Sequence, residues 1–192
     1  ARGYEVDAYN RKNKNAPKEE FFQNVRLITV PTIDKRSLDA PVYAIMATLK
    51  ACFRRYDVLH YHAEGSCIAL WLCKLFGKRV VVTIHGLDWR RAKWGGLAKK
   101  VIRFSERQAV KHADEIIVLS RNVQEYFKKE YNRETVFIPN GVDRPSIRGD
   151  AVISENYGLQ KNNYLLYLGR IVPEKGLDYL VDAYRQVETD MP

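Results

Sequence analysis

Two histidines stand at the ends of short β-rich runs. The run DVLHYH (57–62) ends at His62, and RVVVTIH (79–85) ends at His85. Open α/β sheets place their ligands at the carboxyl ends of the strands, so both side chains are candidates for a site at that edge. Gly86 follows directly, and a glycine there lets the backbone approach a ligand closely.

The structural alternatives for these histidines stay open. His60 and His62 share one face of the first strand. A buried histidine satisfied by one hydrogen bond is the simplest interpretation of His60. For His62, a role in a site and a structural role are equally supported. Two histidines at this spacing could also bind a metal, but no third ligand is evident, and we expect no metal.

The loop after His85 carries an acid and two tryptophans. Asp88 and Trp89 open it, and Trp94 precedes the pair Gly95–Gly96. Aromatic faces stack on the apolar faces of sugars, so the loop could be a mobile, sugar-contacting lid. The alternative is a surface loop that the two tryptophans hold in place.

A third group lies in GRIVPEKG, residues 169–176. Arg170 offers a planar fork to phosphate oxygens and Lys175 a point charge, just before a predicted helix whose first amides favour anions. The spacing differs from a Walker loop, since Lys175 precedes Gly176 and Leu177 replaces the hydroxyl residue. A diphosphate site is one interpretation, and a solvated turn with a Glu174–Lys175 pair is the other.

The charge is +9, and it is unevenly distributed. Residues 51–100 hold ten Lys or Arg against three Asp or Glu. Lys99, Arg103 and Arg107 recur every four residues on a predicted helix, with Lys100 and Lys111 nearby. This basic stripe could lie on anionic lipid, or it could be an ordinary solvated face around Glu106.

An excess of bases also invites nucleic acid. The sequence lacks an RNA-binding aromatic signature, a helix-turn-helix and a zinc finger, so a nucleic-acid-binding protein is the less favoured class. Cys52, Cys67 and Cys73 sit in apolar helical patterns without C-x-x-C spacing, which predicts buried free thiols in a reducing compartment. We therefore expect a cytoplasmic protein, with contact to the inner face of the membrane as an option.

Strands and helices alternate along the chain with near-continuous Val/Ile runs. This pattern predicts an α/β fold with a Rossmann-like, doubly wound parallel sheet covered on both faces. The predicted strands are 4–9, 25–30, 57–62, 79–85, 115–119 and 135–138. The predicted helices are 38–56, 66–76, 96–113 and 121–131.

The pattern breaks at PNGVD, residues 139–143, where Gly141 could take a positive φ. A polar stretch follows, then a predicted strand at 164–168 and a helix at 176–187. We interpret residues 1–143 as one domain that lacks its first strand. Residues 144–192 would be a linker and the truncated start of a second domain.

Five segments in one order carry a resemblance. DVLHYH, VVVTIHGLDW, ADEIIVLS, FIPNGVD and YLLYLGRIVPEKGLDYLVDAY together resemble the retaining glycosyltransferases of family 4, which have the GT-B fold of two facing Rossmann-like domains. The phrase HGLDWRRAKW resembles bacterial rhamnosyltransferase-like members. By this resemblance residues 1–143 would be the acceptor-side domain. Residues 144–192 would be a linker and the first βα unit of the nucleotide-sugar-binding domain.

The resemblance assigns roles residue by residue. His85 matches the active-site histidine that touches the donor sugar, and Arg170 and Lys175 match the pair that binds the donor diphosphate and stabilises its departure. The other implied substrate-binding residues are His62 on the acceptor side, Gly86 and Asp88 in the same loop, Ser120 facing the cleft, and Asn140 and Gly141 at the interdomain crossing.

The implied reaction transfers a sugar from a nucleoside-diphosphate donor to a hydroxyl of a sugar or lipid-linked acceptor, without metal or cofactor, in cell-surface polysaccharide or glycolipid synthesis. The family's glycine-rich loop after the first strand and its paired-glutamate motif have no counterpart here, so we expect weak donor binding by this chain alone. A phosphorylase or epimerase on the same fold remains the enzymatic alternative.

Overall fold

A computed structural model describes residues 3–12, 19–33, 35, 38–91, 94–146, 149, 151–189 and 191. The chain divides into two units, Ala1–Asn140 and Gly141–Pro192. Each unit is described by itself.

A four-stranded parallel sheet forms the centre of the first unit. Its strands lie in the order β4-β5-β6-β7, and each is parallel to its neighbour. Strand β5 is VVVTI, a run of β-branched residues of which all but Val81 are buried, as expected for a strand inside a parallel sheet. The bounds are β4 Leu59–His62, β5 Val80–Ile84, β6 Glu115–Val118 and β7 Val136–Phe137.

Four helices accompany this sheet. The hydrophobic core lies between these helices and the sheet and includes side chains of β5 and β6. From the helices, Leu70, Cys73, Ala109 and Phe127 are fully buried. A 3-10 segment, Glu64–Ala69, connects β4 to the second helix where one continuous helix was predicted. The helices are α1 Asp39–Cys52, α2 Leu70–Leu75, α3 Gly96–His112 and α4 Arg121–Tyr131.

A second, three-stranded sheet lies in the same unit. Strands β1 (Val6–Arg11) and β3 (Val25–Val30) pair in parallel, and β2 (Phe21–Phe22) pairs antiparallel with β3. The hairpin between β2 and β3 was not predicted. Gln23 and Asn24 both take positive φ, 46° and 66°, which is the backbone that a tight two-residue hairpin turn requires.

The second unit differs from its prediction at one strand. Residues 164–168 form no strand, and Leu166 and Leu168 are exposed. The prediction was wrong because a strand needs a hydrogen-bonded neighbour, and the described residues of this unit contain no other strand. The helix after it does form, as α6 (Leu177–Tyr184), and the polar stretch before it contains an unpredicted helix, α5 (Ala151–Tyr157).

The prediction that the three cysteines are buried free thiols is confirmed. All are free and buried, and burial raises the pKa of the Cys52 and Cys67 thiols to about 12. In the described part of the chain, no helix is long and apolar enough to cross a bilayer.

Candidate functional site

The histidines that end two neighbouring strands are in direct contact. Because β4 and β5 are parallel and His62 is in register with Thr83, the residue after β5 reaches the same edge of the sheet as the end of β4. Nδ1 of His62 lies 3.1 Å from Nε2 of His85, within hydrogen-bond distance. The structure thus brings together the two histidines that the sequence singled out.

His60 continues the row on the other side of His62. The two rings are 4.3 Å apart between centroids, and Nε2 of His60 hydrogen-bonds to Oγ1 of Thr83 at 2.8 Å. The hydrogen bond was predicted, but the buried position was not confirmed, because this face of β4 is exposed.

Two of these rings, His60 and His62, favour the neutral form. Both side chains are exposed in part, but partial loss of solvent is the main cause that lowers the pKa of each. His85 lowers the pKa of His60 further, and His60 and His85 lower that of His62. A neutral imidazole donates through one nitrogen and accepts through the other, so one ring of the His62–His85 pair donates to its partner. No described residue hydrogen-bonds to Nε2 of His62 or Nδ1 of His85, which leaves these atoms for a ligand.

A strained turn fixes His62. Ala63 has φ 64° and ψ 156°, a backbone region that side chains other than glycine rarely adopt. Its N–H continues the ladder to the Thr83 carbonyl at 2.9 Å, and the Ser66 hydroxyl lies 2.8 Å from the carbonyl oxygens of both His62 and Ala63. These contacts on both sides of Ala63 hold His62 in one orientation.

Glu64 connects this turn to the loop after β5. The side chain is fully buried, and its Oε1 accepts the backbone N–H of Asp88 at 3.1 Å. Burial raises the pKa of this carboxyl to about 8, and the charge of Asp88 adds to the rise. Glu64 is therefore largely protonated at neutral pH, and it ties Asp88 to the strand that carries His62.

A second buried acid, Glu106, holds the same loop from helix α3. Its Oε2 accepts the indole N–H of Trp89 at 3.2 Å, and its Oε1 accepts the hydroxyls of Tyr126, at 2.9 Å, and Tyr131. The guanidinium of Arg103 lies 4.8 Å from the Trp89 ring. Trp89 is thus an anchor of the loop, in line with the alternative of a pinned surface loop.

This arrangement also corrects the interpretation of the basic stripe. Glu106 does not lie on a solvated face. It follows the buried Ile102 by four residues and is therefore on the buried side of α3, where it contacts α4. Arg103 is occupied by Trp89 and by Glu130, 3.4 Å away. Lys99, Arg103 and Arg107 therefore do not form one free cationic face.

Gly86 and Asp88 shape the loop itself. Gly86 has φ 156°, a backbone angle that other residues rarely adopt. An added Cβ would meet no atom within 4 Å, so the space beside this residue is open. The Asp88 carboxylate forms an ion pair with Nε of Arg91 at 3.1 Å. Both residues lie in the segment that starts at His85, as predicted.

Ser120, Asn140 and Gly141 have simpler surroundings. Ser120 follows β6 at the edge that carries His62 and His85, and its hydroxyl caps α4 by accepting the Val123 N–H at 3.4 Å. Asn140 ends the first unit and Gly141 begins the second; both are exposed, and Gly141 does not take the positive φ that glycine would allow.

Arg170 and Lys175 flank a short turn of the second unit. Lys175 ends the 3-10 segment Pro173–Lys175, and Gly176, with φ 64°, leads into α6. Both cationic groups are exposed, and neither forms an ion pair with a described residue. The Glu174–Lys175 pair of the alternative interpretation is absent from the described contacts, so both cations are available to an anion.

Glu64 and Glu106 were not selected from the sequence as site residues. The signal that could have found Glu106 is its helical spacing from Ile102 and Ala109, since all three lie on the buried side of α3. Glu64 had no such signal. Among the described residues, no three His, Cys, Asp or Glu side chains converge to hold a metal ion.

Comparison with known proteins identifies related sequences. The family model described as Glycosyltransferase Family 4 matches residues 1–144. An uncharacterized glycosyltransferase, YqgM, of Bacillus subtilis is 29% identical over 141 residues, which are 72% of this chain and 38% of the relative. The GDP-mannose-dependent alpha-(1-6)-phosphatidylinositol monomannoside mannosyltransferase of Mycolicibacterium smegmatis is 26% identical over 206 residues, covering 100% of this chain and 51% of the relative.

Solved structures agree in fold. HepE of Anabaena, crystallised in complex with UDP, superposes with a TM-score of 0.60 at 19% identity, over 84% of this chain and 44% of that one. Sucrose-phosphate synthase of Thermosynechococcus elongatus gives 0.52 at 20% identity, over 73% and 78%. The α/β, Rossmann-like fold is therefore shown, while the chain spans about half or less of the curated relatives it matches.

Proposed function

The chain belongs to glycosyltransferase family 4, and from that membership we propose that the protein transfers a sugar from a nucleoside-diphosphate donor to an acceptor hydroxyl with retention of configuration. The observation that carries the proposal is the contact of His62 with His85 at the carboxyl ends of β4 and β5. Ligands of open α/β folds bind at that edge.

His85 is the residue we assign to the donor sugar, and His62 to the acceptor side. A neutral, hydrogen-bonded imidazole can orient a sugar hydroxyl without repelling a cationic transition state. The lowered pKa of His62 supports this role, since it keeps the ring uncharged at neutral pH. Gly86 leaves open space beside the pair for a sugar ring.

Arg170 and Lys175 are assigned to the donor diphosphate. Negative charge grows on the leaving group as the glycosidic bond breaks, and preorganised cations lower that barrier. Support comes from their free cationic groups beside the start of α6. We name no carboxylate nucleophile and propose attack by the acceptor hydroxyl on the face that the diphosphate leaves. The reaction as proposed needs no metal or other cofactor.

The nucleotide and the acceptor are finer parts of the proposal. One relative is named as GDP-mannose-dependent and one fold neighbour was crystallised with UDP, so a test must offer donors of both nucleotides. The mannosyltransferase's name specifies a phosphatidylinositol acceptor. A lipid-linked or sugar acceptor, used in cell-surface glycolipid or polysaccharide synthesis, is our proposal for this protein, with peripheral contact to an anionic membrane.

The proposal is tested by the release of nucleoside diphosphate from a panel of UDP- and GDP-sugars, with the full-length protein and lipid or sugar acceptors. Arg170→Ala and Lys175→Ala should each lower kcat about tenfold or more, by analogy with removing one oxyanion donor. Arg185→Ala and Lys161→Ala, exposed cations of the same unit, are matched controls and should leave turnover unchanged. Equal turnover in all four variants would remove the assigned role.

A further inference from the structure

Glu64 reaches the loop after β5 from inside the protein. Its side chain has no solvent exposure, and its Oε1 accepts the Asp88 N–H at 3.1 Å. A carboxyl buried to this extent is uncommon, because removing it from water is costly unless another interaction compensates. The amide that it holds lies three residues after His85, so the buried acid acts on the segment that begins at that histidine.

Glu64 provides the main-chain attachment of this loop. The other main-chain hydrogen bonds described for residues 86–91 stay within the loop: the Arg90 N–H donates to the Leu87 carbonyl and the Arg91 N–H to the Asp88 carbonyl, both at 3.1 Å. Glu106 holds the same loop by a side chain, the Trp89 indole. The path of the backbone from His85 to Asp88 therefore depends on the Glu64 contact.

The same residue is tied to the strand that carries His62. Glu64 follows Ala63, whose strained backbone and hydrogen bond to the Thr83 carbonyl fix the end of β4. One carboxyl thus joins the two segments that carry His62 and His85, whose ring nitrogens lie 3.1 Å apart.

The surroundings of Glu64 oppose a charge on its carboxyl. Its Oε2 is buried and meets no hydrogen-bond partner among the described residues. Two acids act on it, Asp88 from the loop and Glu106 from α3, and its own strand and 3-10 segment contribute His62 and Cys67. The buried side chains of α1 and α2, which also pack on this segment, include no Asp, Glu, Lys, Arg or His. An ionised Glu64 would therefore be a buried anion repelled by its neighbours.

We propose that Glu64 is a positioning residue of the transfer reaction: its carboxyl holds the main chain at Asp88 and so keeps the imidazole of His85 against His62 at the edge of the sheet. This inference rests on the proposed function, in which His85 contacts the donor sugar. Glu64 acts through that histidine. Loss of the carboxyl proton at alkaline pH sets two anions against each other and loosens the loop, so the rate of transfer declines with it.

The first test needs no sugar nucleotide. Displacement of His85 removes one of the influences that lower the pKa of His62. Histidine NMR resonances followed against pH should therefore show a raised His62 pKa in Glu64→Ala. In Glu64→Gln the amide oxygen can still accept the Asp88 N–H, and the pKa of His62 should keep its wild-type value. A wild-type pKa of His62 in Glu64→Ala would overturn the proposal.

The second test measures the release of nucleoside diphosphate by the full-length protein. At neutral pH, Glu64→Ala should lower kcat about tenfold or more with a smaller change in the donor KM, because a misplaced group slows the chemical step most. Glu64→Gln should retain kcat. Wild-type kcat in Glu64→Ala would contradict the positioning role.

The pH profile of the same reaction adds a readout that a purely structural residue would not move. Wild-type kcat/KM should fall as the pH rises through about 8, the value to which burial raises the pKa of Glu64. Glu64→Gln has no proton to lose and should lack this fall. If Glu64→Ala does not fold, this profile decides, and a fall that Glu64→Gln reproduces would overturn the proposal.

Thr48→Ala is the matched control for a loss of stability alone. Thr48 is fully buried on α1, which packs on the same 3-10 segment, and its hydroxyl accepts from Tyr61 at 3.0 Å. This variant should unfold more easily in urea and yet keep the wild-type kcat and the wild-type pKa of His62. Losses of kcat in Thr48→Ala equal to those in Glu64→Ala would refute a specific role.

The two tests separate this inference from the proposed function. A raised His62 pKa in Glu64→Ala, together with no transfer from any donor by the wild-type protein, would remove the function and leave the positioning of His85 in place. Transfer by the wild type with unaltered kcat and His62 pKa in Glu64→Ala would do the reverse.

Discussion

Nδ1 of His62 and Nε2 of His85 lie 3.1 Å apart, although 22 residues separate them in the chain. Only one ring can donate in this contact, so protonation of both rings would replace a hydrogen bond with repulsion. The contact can therefore survive one added proton but not two, and the titration of His62 is the first property to measure.

His62 should titrate below its ordinary pKa of 6.5, because burial and its two neighbouring imidazoles disfavour the charged ring. Histidine NMR resonances followed against pH would show this. His85→Gln removes one of the disfavouring charges and should raise the pKa of His62. No change in that pKa would contradict electrostatic contact of the two rings.

The same shift predicts the direction of acid sensitivity. A histidine whose folded pKa is lowered binds its proton more readily in the unfolded chain, so stability is retained above pH 6.5 and lost as the pH falls below it. His62→Gln should therefore flatten the fall in unfolding free energy below pH 6.5, measured by urea denaturation. A wild-type fall that the variant reproduces would exclude His62 as its source.

Glu64 should make the protein less stable as the pH rises. Its pKa is raised to about 8, so the folded state holds a proton that the unfolded chain releases above pH 4.5. The contribution is complete below pH 4.5 and is lost as the pH rises to about 8, by up to about 1.4 kcal/mol per pH unit. Urea denaturation between pH 5 and pH 8 measures it.

Glu64→Gln is the diagnostic variant for that effect. The amide keeps an oxygen that can accept the Asp88 N–H but has no proton to lose, so the stability curve should flatten. Glu130→Gln, at an exposed site on α4, is the matched control and should retain the wild-type slope. Parallel curves for wild type and Glu64→Gln would show that Glu64 is ionised in the folded state.

Glu106→Gln should release Trp89. The amide oxygen can still accept the two tyrosine hydroxyls, but the NH₂ group would face the indole N–H. The indole N–H and the new NH₂ group would then both be donors without an acceptor. We expect a loss of roughly 2 kcal/mol in unfolding free energy. A red-shifted Trp89 emission should accompany it, measured with Trp71 and Trp94 replaced by Phe; Glu125→Gln is the exposed control. Unaltered emission would argue against the anchor.

Ser120→Ala separates a capping role from a role in the cleft. Loss of the cap on α4 should cost about 1 kcal/mol, and Ser120→Asp should restore it. If the hydroxyl also contacts substrate in the full-length protein, Ser120→Asp will be stable and yet show a raised KM. Equal kinetics in wild type and both variants would limit Ser120 to the cap.

Much of the first unit follows from local pattern. Strand β5 and helices α3 and α4 were predicted closely, because a buried parallel strand needs a continuous β-branched run and a helix packed on a sheet needs apolar residues at helical spacing. The hairpin at Gln23–Asn24 was missed, since Gln is not a usual residue at positive φ. The predicted strand at 164–168 was wrong, because a strand needs a neighbouring strand to pair with and the local sequence does not show whether one is present.

The sequence by itself determined the family, the α/β alternation and the histidines at the ends of two strands, since each depends on residue type and spacing along the chain. The tertiary structure alone decided which groups meet: His62 with His85, Glu64 with the Asp88 amide, and Glu106 with Trp89. Burial of a carboxyl depends on what packs over it from distant segments. Charge counted along a helix therefore could not show that Glu106 lies inside or that Arg103 is engaged.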